Sequence, residues 1–100
     1  MTKQERKFLL NQYKKYYEIV EYYGIFIMAN ETGLPDGERP IYKAAYHGYV
    51  ALRRIVESLV PIGERYDVMM AAEEHGRNKA YKLLTPEQKE RLKTVYNIIL

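Results

Sequence analysis

His47 and His75 are the only imidazoles in a chain that has no cysteine. General-base, nucleophilic or metal chemistry would have to be built around one of them and a nearby carboxylate or hydroxyl. The one dense grouping is Glu73-Glu74-His75. Consecutive helical residues point in different directions, and the run lacks both the i, i+4 pair of a helical zinc site and the Glu-x-x-His of a di-iron bundle. It reads instead as a solvated helix end, with His75 placed favourably against the C-terminal dipole. The six glycines are scattered and match neither GxxxxGK[ST] nor GxGxxG, so no phosphate cradle is written in the chain. The expectation is a protein with no catalytic residue, no cofactor and no metal, and hence not an enzyme.

The residue type that stands out is tyrosine: eleven of 100 residues, against two Phe and no Trp. Tyr13, Tyr16, Tyr17, Tyr22 and Tyr23 crowd into one stretch near the N-terminus. Each buries a large ring yet keeps a hydroxyl that needs a partner or water, which suits a packed but reachable face. Leu9, Tyr13, Tyr16, Val20, Tyr23 and Ile27 recur at helical spacing, so Tyr13, Tyr16 and Tyr23 are expected in the core. Phe8, Ile19, Tyr22 and Phe26 form a second stripe roughly 80 to 100° away. A helix apolar on two sides must either run through the centre of the fold or meet another molecule. Tyr17 and Tyr22 lie off the centre of the first stripe and, with Phe26, are the candidate partner-binding residues.

A second candidate is the string from Ala71 to Leu84, AAEEHGRNKAYKLL, which resembles the core of a helix-turn-helix. Ala72 and Gly76 match that pattern, whereas His75, Arg77 and Lys82 stand where it usually has apolar residues. On this reading a degenerate motif over about 66–84 would present Asn78, Lys79 and Lys82 to the major groove, with Arg77 nearer phosphate. A purely electrostatic reading is separate from that motif. From Pro61 to Gly76 four acids face one base, and from Arg77 to the end six bases face two acids. The overall charge of +3 permits contact with nucleic acid without demanding it. Lys89 and Lys93 lie on one side of the last helix's apolar stripe and Arg91 on the other, which reads as a solvated face rather than one cationic track.

The elements that must position these residues are all helical. No Gly or Pro interrupts Thr2–Ala29 before Gly24, which predicts one long N-terminal helix. The turn-forming run from Asn30 to Pro40, NETGLPDGERP, predicts a loop with Leu34 exposed. A second helix from Ile41 to Val60 places Ile41, Ala45, Gly48, Leu52, Ile55, Val56 and Leu59 inward. Gly48 costs roughly 1 kcal/mol relative to Ala in a helix interior, so its place among Ala44, Ala45 and Ala51 predicts a close crossing by the tyrosine helix. Pro61 separates a third helix, Glu64–His75, with Tyr66, Met69 and Met70 inward and Gly76 as its left-handed terminator. A short helical piece, Asn78–Leu84, leads to Thr85-Pro86-Glu87-Gln88, a capping box that opens the last helix with Leu92, Val95, Tyr96 and Ile99 as its stripe.

These elements predict an all-α fold: a small bundle of four main helices plus a short helical segment, forming one domain over residues 1–100. With 47% hydrophobic and 29% charged residues the chain is too apolar for disorder. No segment approaches a membrane span or a signal-peptide core, so a cytoplasmic protein without membrane contact is expected. A domain of about 100 residues is only marginally stable unless a partner or a second copy adds burial. The function that follows is a non-enzymatic regulatory or adaptor protein acting by protein–protein contact, with a partner or as a homodimer, through a tyrosine-rich helical face. The alternative is a DNA-binding regulator.

Overall fold

Thr2 and Thr85 each open a helix in the same way. The Thr2 hydroxyl accepts the Glu5 backbone N–H at 3.1 Å while the Glu5 carboxylate accepts the Thr2 N–H at 3.3 Å. Thr85 and Gln88 repeat the exchange at 3.2 and 2.8 Å. Each reciprocal pair satisfies two orphan donors of a first helical turn. In the computed structural model, which describes residues 1–30 and 32–98, these caps begin α1 (Lys3–Ala29) and α4 (Pro86–Tyr96). Between them run α2 (Arg39–Leu59) and α3 (Ile62–Tyr81). Pro40 lies in the first turn of α2, and Val60, extended before Pro61, ends it. Asn97, left-handed at φ 56°, ends α4, with its own N–H and that of Ile98 donating back to the carbonyls of Lys93 and Leu92. Ile99, assigned to the last apolar stripe, lies outside the described residues.

The fold is the all-α bundle of four helices that the periodicity predicts, with α1 as its hub. α2 and α3 flank α1 and barely touch one another, and α4 packs on the C-terminal part of α1. Tyr13, Tyr17, Val56, Val60 and Ala72 make one buried cluster, while Ile25, Ala29, Ala80, Leu84 and Leu92 make another further along α1. Spread around one long axis, the chain is elongated. Its radius of gyration is 14.9 Å against about 13 Å for a compact domain of this length, with extents of 47 × 27 × 18 Å. No helix among the described residues is long and apolar enough to cross a membrane.

The structure corrects the third helix. No turn occurs at Gly76: α3 runs unbroken for 20 residues, and the expected short segment Asn78–Leu84 is its last turn and the connection that follows. Gly76 is there for space rather than for a left-handed backbone. A Cβ at this position would lie 2.6 Å from the Glu18 carbonyl oxygen and 3.1 Å from the Tyr22 nitrogen, so α1 and α3 meet backbone to backbone. Gly48 fulfils its expectation, since a Cβ there would meet the Tyr16 ring at 3.1 Å. Leu34 is buried, not exposed: the loop folds back, and Arg39 donates from Nε to the Leu34 carbonyl at 3.1 Å while pairing with Asp36.

Candidate interaction surface

Tyr17, expected to meet a partner, is 9% exposed and belongs to the core. Its ring centroid lies 5.8 Å from that of Tyr13 and 5.1 Å from that of Tyr49, the latter edge-on. The reason is the hub position of α1, because α2 and α3 close over the strip between its two flanks. Burial pushes the Tyr17 hydroxyl up to about 12, with the Glu21 carboxylate adding to the effect. Burial first and then Tyr49 also raise Tyr13. Both hydroxyls therefore stay neutral over the physiological range.

Tyr22 and Phe26 are half-buried and pack edge to face at 5.1 Å beside the Ile25–Leu92 cluster. From them a continuous chain of rings crosses to α2 through Tyr23, Tyr42 and Tyr46 and ends in the core at Tyr49. Tyr22 still reaches the surface in a pocket of about 330 Å³, lined by Ile19, Tyr23 and Ile41 and rimmed by Glu18 and Lys79. Two of the three expected contact residues thus sit together, and the third does not.

Of the nucleic-acid candidates, Arg77 is drawn into the fold by ion pairs and the others stay at the surface. Arg77 pairs with Glu21 of α1 at 3.2 Å and with Glu73 one turn back at 3.2 Å, so its guanidinium fastens α3 to the hub. Asn78, Lys79 and Lys82 are exposed near the end of α3. Without a turn at Gly76 there is no second helix to enter a groove, and residues 66–81 of the expected helix-turn-helix belong to one unbroken α-helix. Lys89 lies 4.5 Å over the Tyr81 ring, and Arg91 donates from Nε to the Met28 carbonyl at 3.2 Å. His47 and His75 are exposed. Among the described residues no three His, Asp or Glu side chains gather as a metal site requires.

Side chains assigned to the core form the open surface instead. Ile41 is 54% exposed, Ile55 45% and Leu59 53%, although all three lie on the apolar stripe of α2. Phe8 of α1, 66% exposed, shares a groove with Leu9, Ile55 and Leu59. Ala44 and Ala51 are also exposed. The α2 stripe is wider than one helix can cover: Ala45, Leu52 and Val56 turn to α1, and its other edge is left open. Tyr66 and Met70, expected inward, are exposed on α3 together with Ile62, because α2 and α3 do not close on each other. The breadth of the α2 stripe was the available sequence signal for this surface, as was the second stripe of α1 for Phe8.

No family model, curated protein or solved structure matches this chain.

Proposed function

We propose that this is a small, non-enzymatic regulatory or adaptor protein that acts by protein–protein contact through the face shared by α1 and α2. The observation that supports this reading is the set of Phe8, Ile55 and Leu59, each about half exposed or more, around one groove between α1 and α2. Singly scattered apolar residues need no explanation, whereas exposed apolar side chains gathered around one groove are the kind of surface that protein partners use. We propose the cytoplasm as its location, with which a chain free of cysteine is compatible.

The test replaces Phe8 with a photo-crosslinking phenylalanine in the producing cell, with Lys43, on the polar side of α2, as the control position. A contact face gives a discrete protein adduct at position 8, none at position 43, and loss of the adduct when Ile55→Asp is added without lowering the melting temperature. Equal labelling at both positions, or no adduct at position 8, would end this reading.

A further inference from the structure

We infer that α4 is a latch: it opens from α1 as one unit while α1, α2 and α3 stay folded, and in opening it uncovers an apolar surface at the C-terminal end of α1. The latch is separate from the Phe8 groove, which lies near the other end of α1. Units that open independently follow the division of buried contacts. The cluster of Tyr13, Tyr17, Val56, Val60 and Ala72, with the partly buried side chains packed on it, draws only on α1, α2, α3 and the link between α2 and α3. The second cluster contains no residue of α2, and α4 enters it through Leu92 alone, with Ile98 following past its end. Withdrawing α4 therefore leaves the whole first cluster and the close approach of α1 and α3 at Gly76 in place.

α4 is also short and held mainly by polar contacts. Its eleven residues are fewer than the ~12–15 that even a good helix former needs to be marginally stable in water, so α4 depends on docking to stay helical. Val95 and Tyr96, expected on its inward stripe, are 57% and 42% exposed, which leaves Leu92 as its only buried residue. The other fastenings lie in one stretch of α4. Gln88 donates to Asn30 at 2.7 Å, Lys89 lies over the Tyr81 ring, and Arg91 donates to the Met28 carbonyl. Such groups exchange their partners for water on opening, so each contributes little net. The pivot is fixed without α4: Leu83 and Leu84 donate their N–H groups back to the carbonyls of Ala80 and Tyr81. Opening lifts Leu92 away from Ile25, Ala29 and Leu84, all three of which are buried while the latch is closed.

Native-state hydrogen exchange of the full chain, read residue by residue by NMR where rates report opening equilibria, tests the latch. The α4 amides from Glu90 to Tyr96 should exchange together, with protection ~100-fold or more below that of Tyr17 and Tyr49. Their rates should barely rise in urea too dilute to unfold the protein, because little surface is exposed on opening. Val56→Ala then separates local from global opening. Val56 keeps its contacts when only α4 opens, so the substitution should speed the Tyr17 and Tyr49 amides by ~10-fold or more and leave the α4 amides unchanged. Ala29→Cys gives the cysteine-free chain one thiol on the covered surface, and its reaction with a thiol reagent should be equally insensitive to Val56→Ala. If the α4 amides share the urea dependence and the Val56→Ala acceleration of Tyr17, α4 unfolds only with the rest and the latch is overturned. Exchange graded inward from Tyr96, with Glu90 as slow as Tyr17, would replace the latch with fraying of a helix end. A thiol at position 29 that reacts only in step with global unfolding would overturn the uncovering of that surface.

Discussion

Alanine at three helix-interior glycines tests the packing directly, because the same substitution meets three different surroundings. Alanine gains about 1 kcal/mol of helix propensity over glycine wherever its methyl has room. At Gly24 nothing lies within 4 Å of the added Cβ, so Gly24→Ala should stabilise the protein by about 0.5–1 kcal/mol. At Gly48 the methyl would sit 3.1 Å from the Tyr16 ring. That ring is partly exposed and can swing by a few tenths of an ångström, so propensity and crowding should cancel to within about 0.5 kcal/mol. At Gly76 the nearest atom is a backbone oxygen at 2.6 Å, which cannot rotate away. Restoring the 3.4 Å of ordinary contact requires α1 and α3 to part by about 0.8 Å. A gap of that size forfeits a quarter to a half of each dispersion contact along the seam, including those around Tyr17, Ala72, Ile25 and Ala80. It also stretches the Arg77–Glu21 pair. Overpacking of this kind costs about 1–3 kcal/mol, and after the propensity gain Gly76→Ala should still lose about 1–2 kcal/mol. Urea unfolding followed by far-ultraviolet circular dichroism, at low protein concentration, would rank the three variants. In a domain this size the Gly76→Ala loss corresponds to a fall of roughly 5–15 °C in Tm. A Gly76→Ala protein as stable as the wild type would refute the close α1–α3 approach.

Alkaline stability should reflect Tyr13 and Tyr17. Their folded pKa values lie above the unfolded value of 10.0, so their contribution is complete below pH 10 and is lost as pH rises from 10 towards 12. Each group then removes about 1.4 kcal/mol per pH unit, and tyrosinate absorbance near 295 nm should show Tyr13 and Tyr17 among the last rings to titrate, alongside denaturant midpoints that fall only above pH 10. Leu92→Ala empties a fully buried site beside Ile25 and Leu84 and should cost about 2–5 kcal/mol, read from the denaturant midpoint at constant slope. Thr85→Ala removes an N-cap worth about 1 kcal/mol. Because Gln88 also donates from Nε2 to Asn30 Oδ1 at 2.7 Å, a double-mutant cycle between Thr85 and Asn30 should show coupling through Gln88, and strict additivity would contradict that link.

The sequence by itself determined the helices and most of their ends. Pro61, Thr85 and Pro86 act through their own backbone and side-chain chemistry, so their meaning does not depend on distant residues. Gly48 was legible for a related reason, as its small neighbours on the same face announce a notch before its occupant is known. Gly76 was not. A glycine that ends a helix and one that admits another backbone are the same letter between the same polar neighbours, His75 and Arg77, and only the Glu18 carbonyl 2.6 Å away decides between them. Periodicity likewise states which residues share a face but not what covers it. Tyr17 went into the core and Ile41, Ile55, Leu59, Tyr66 and Met70 to the surface because α1 takes the centre and α2 and α3 stay apart. That choice belongs to tertiary packing, since burial is a property of two surfaces in contact and a single helix carries only one of them.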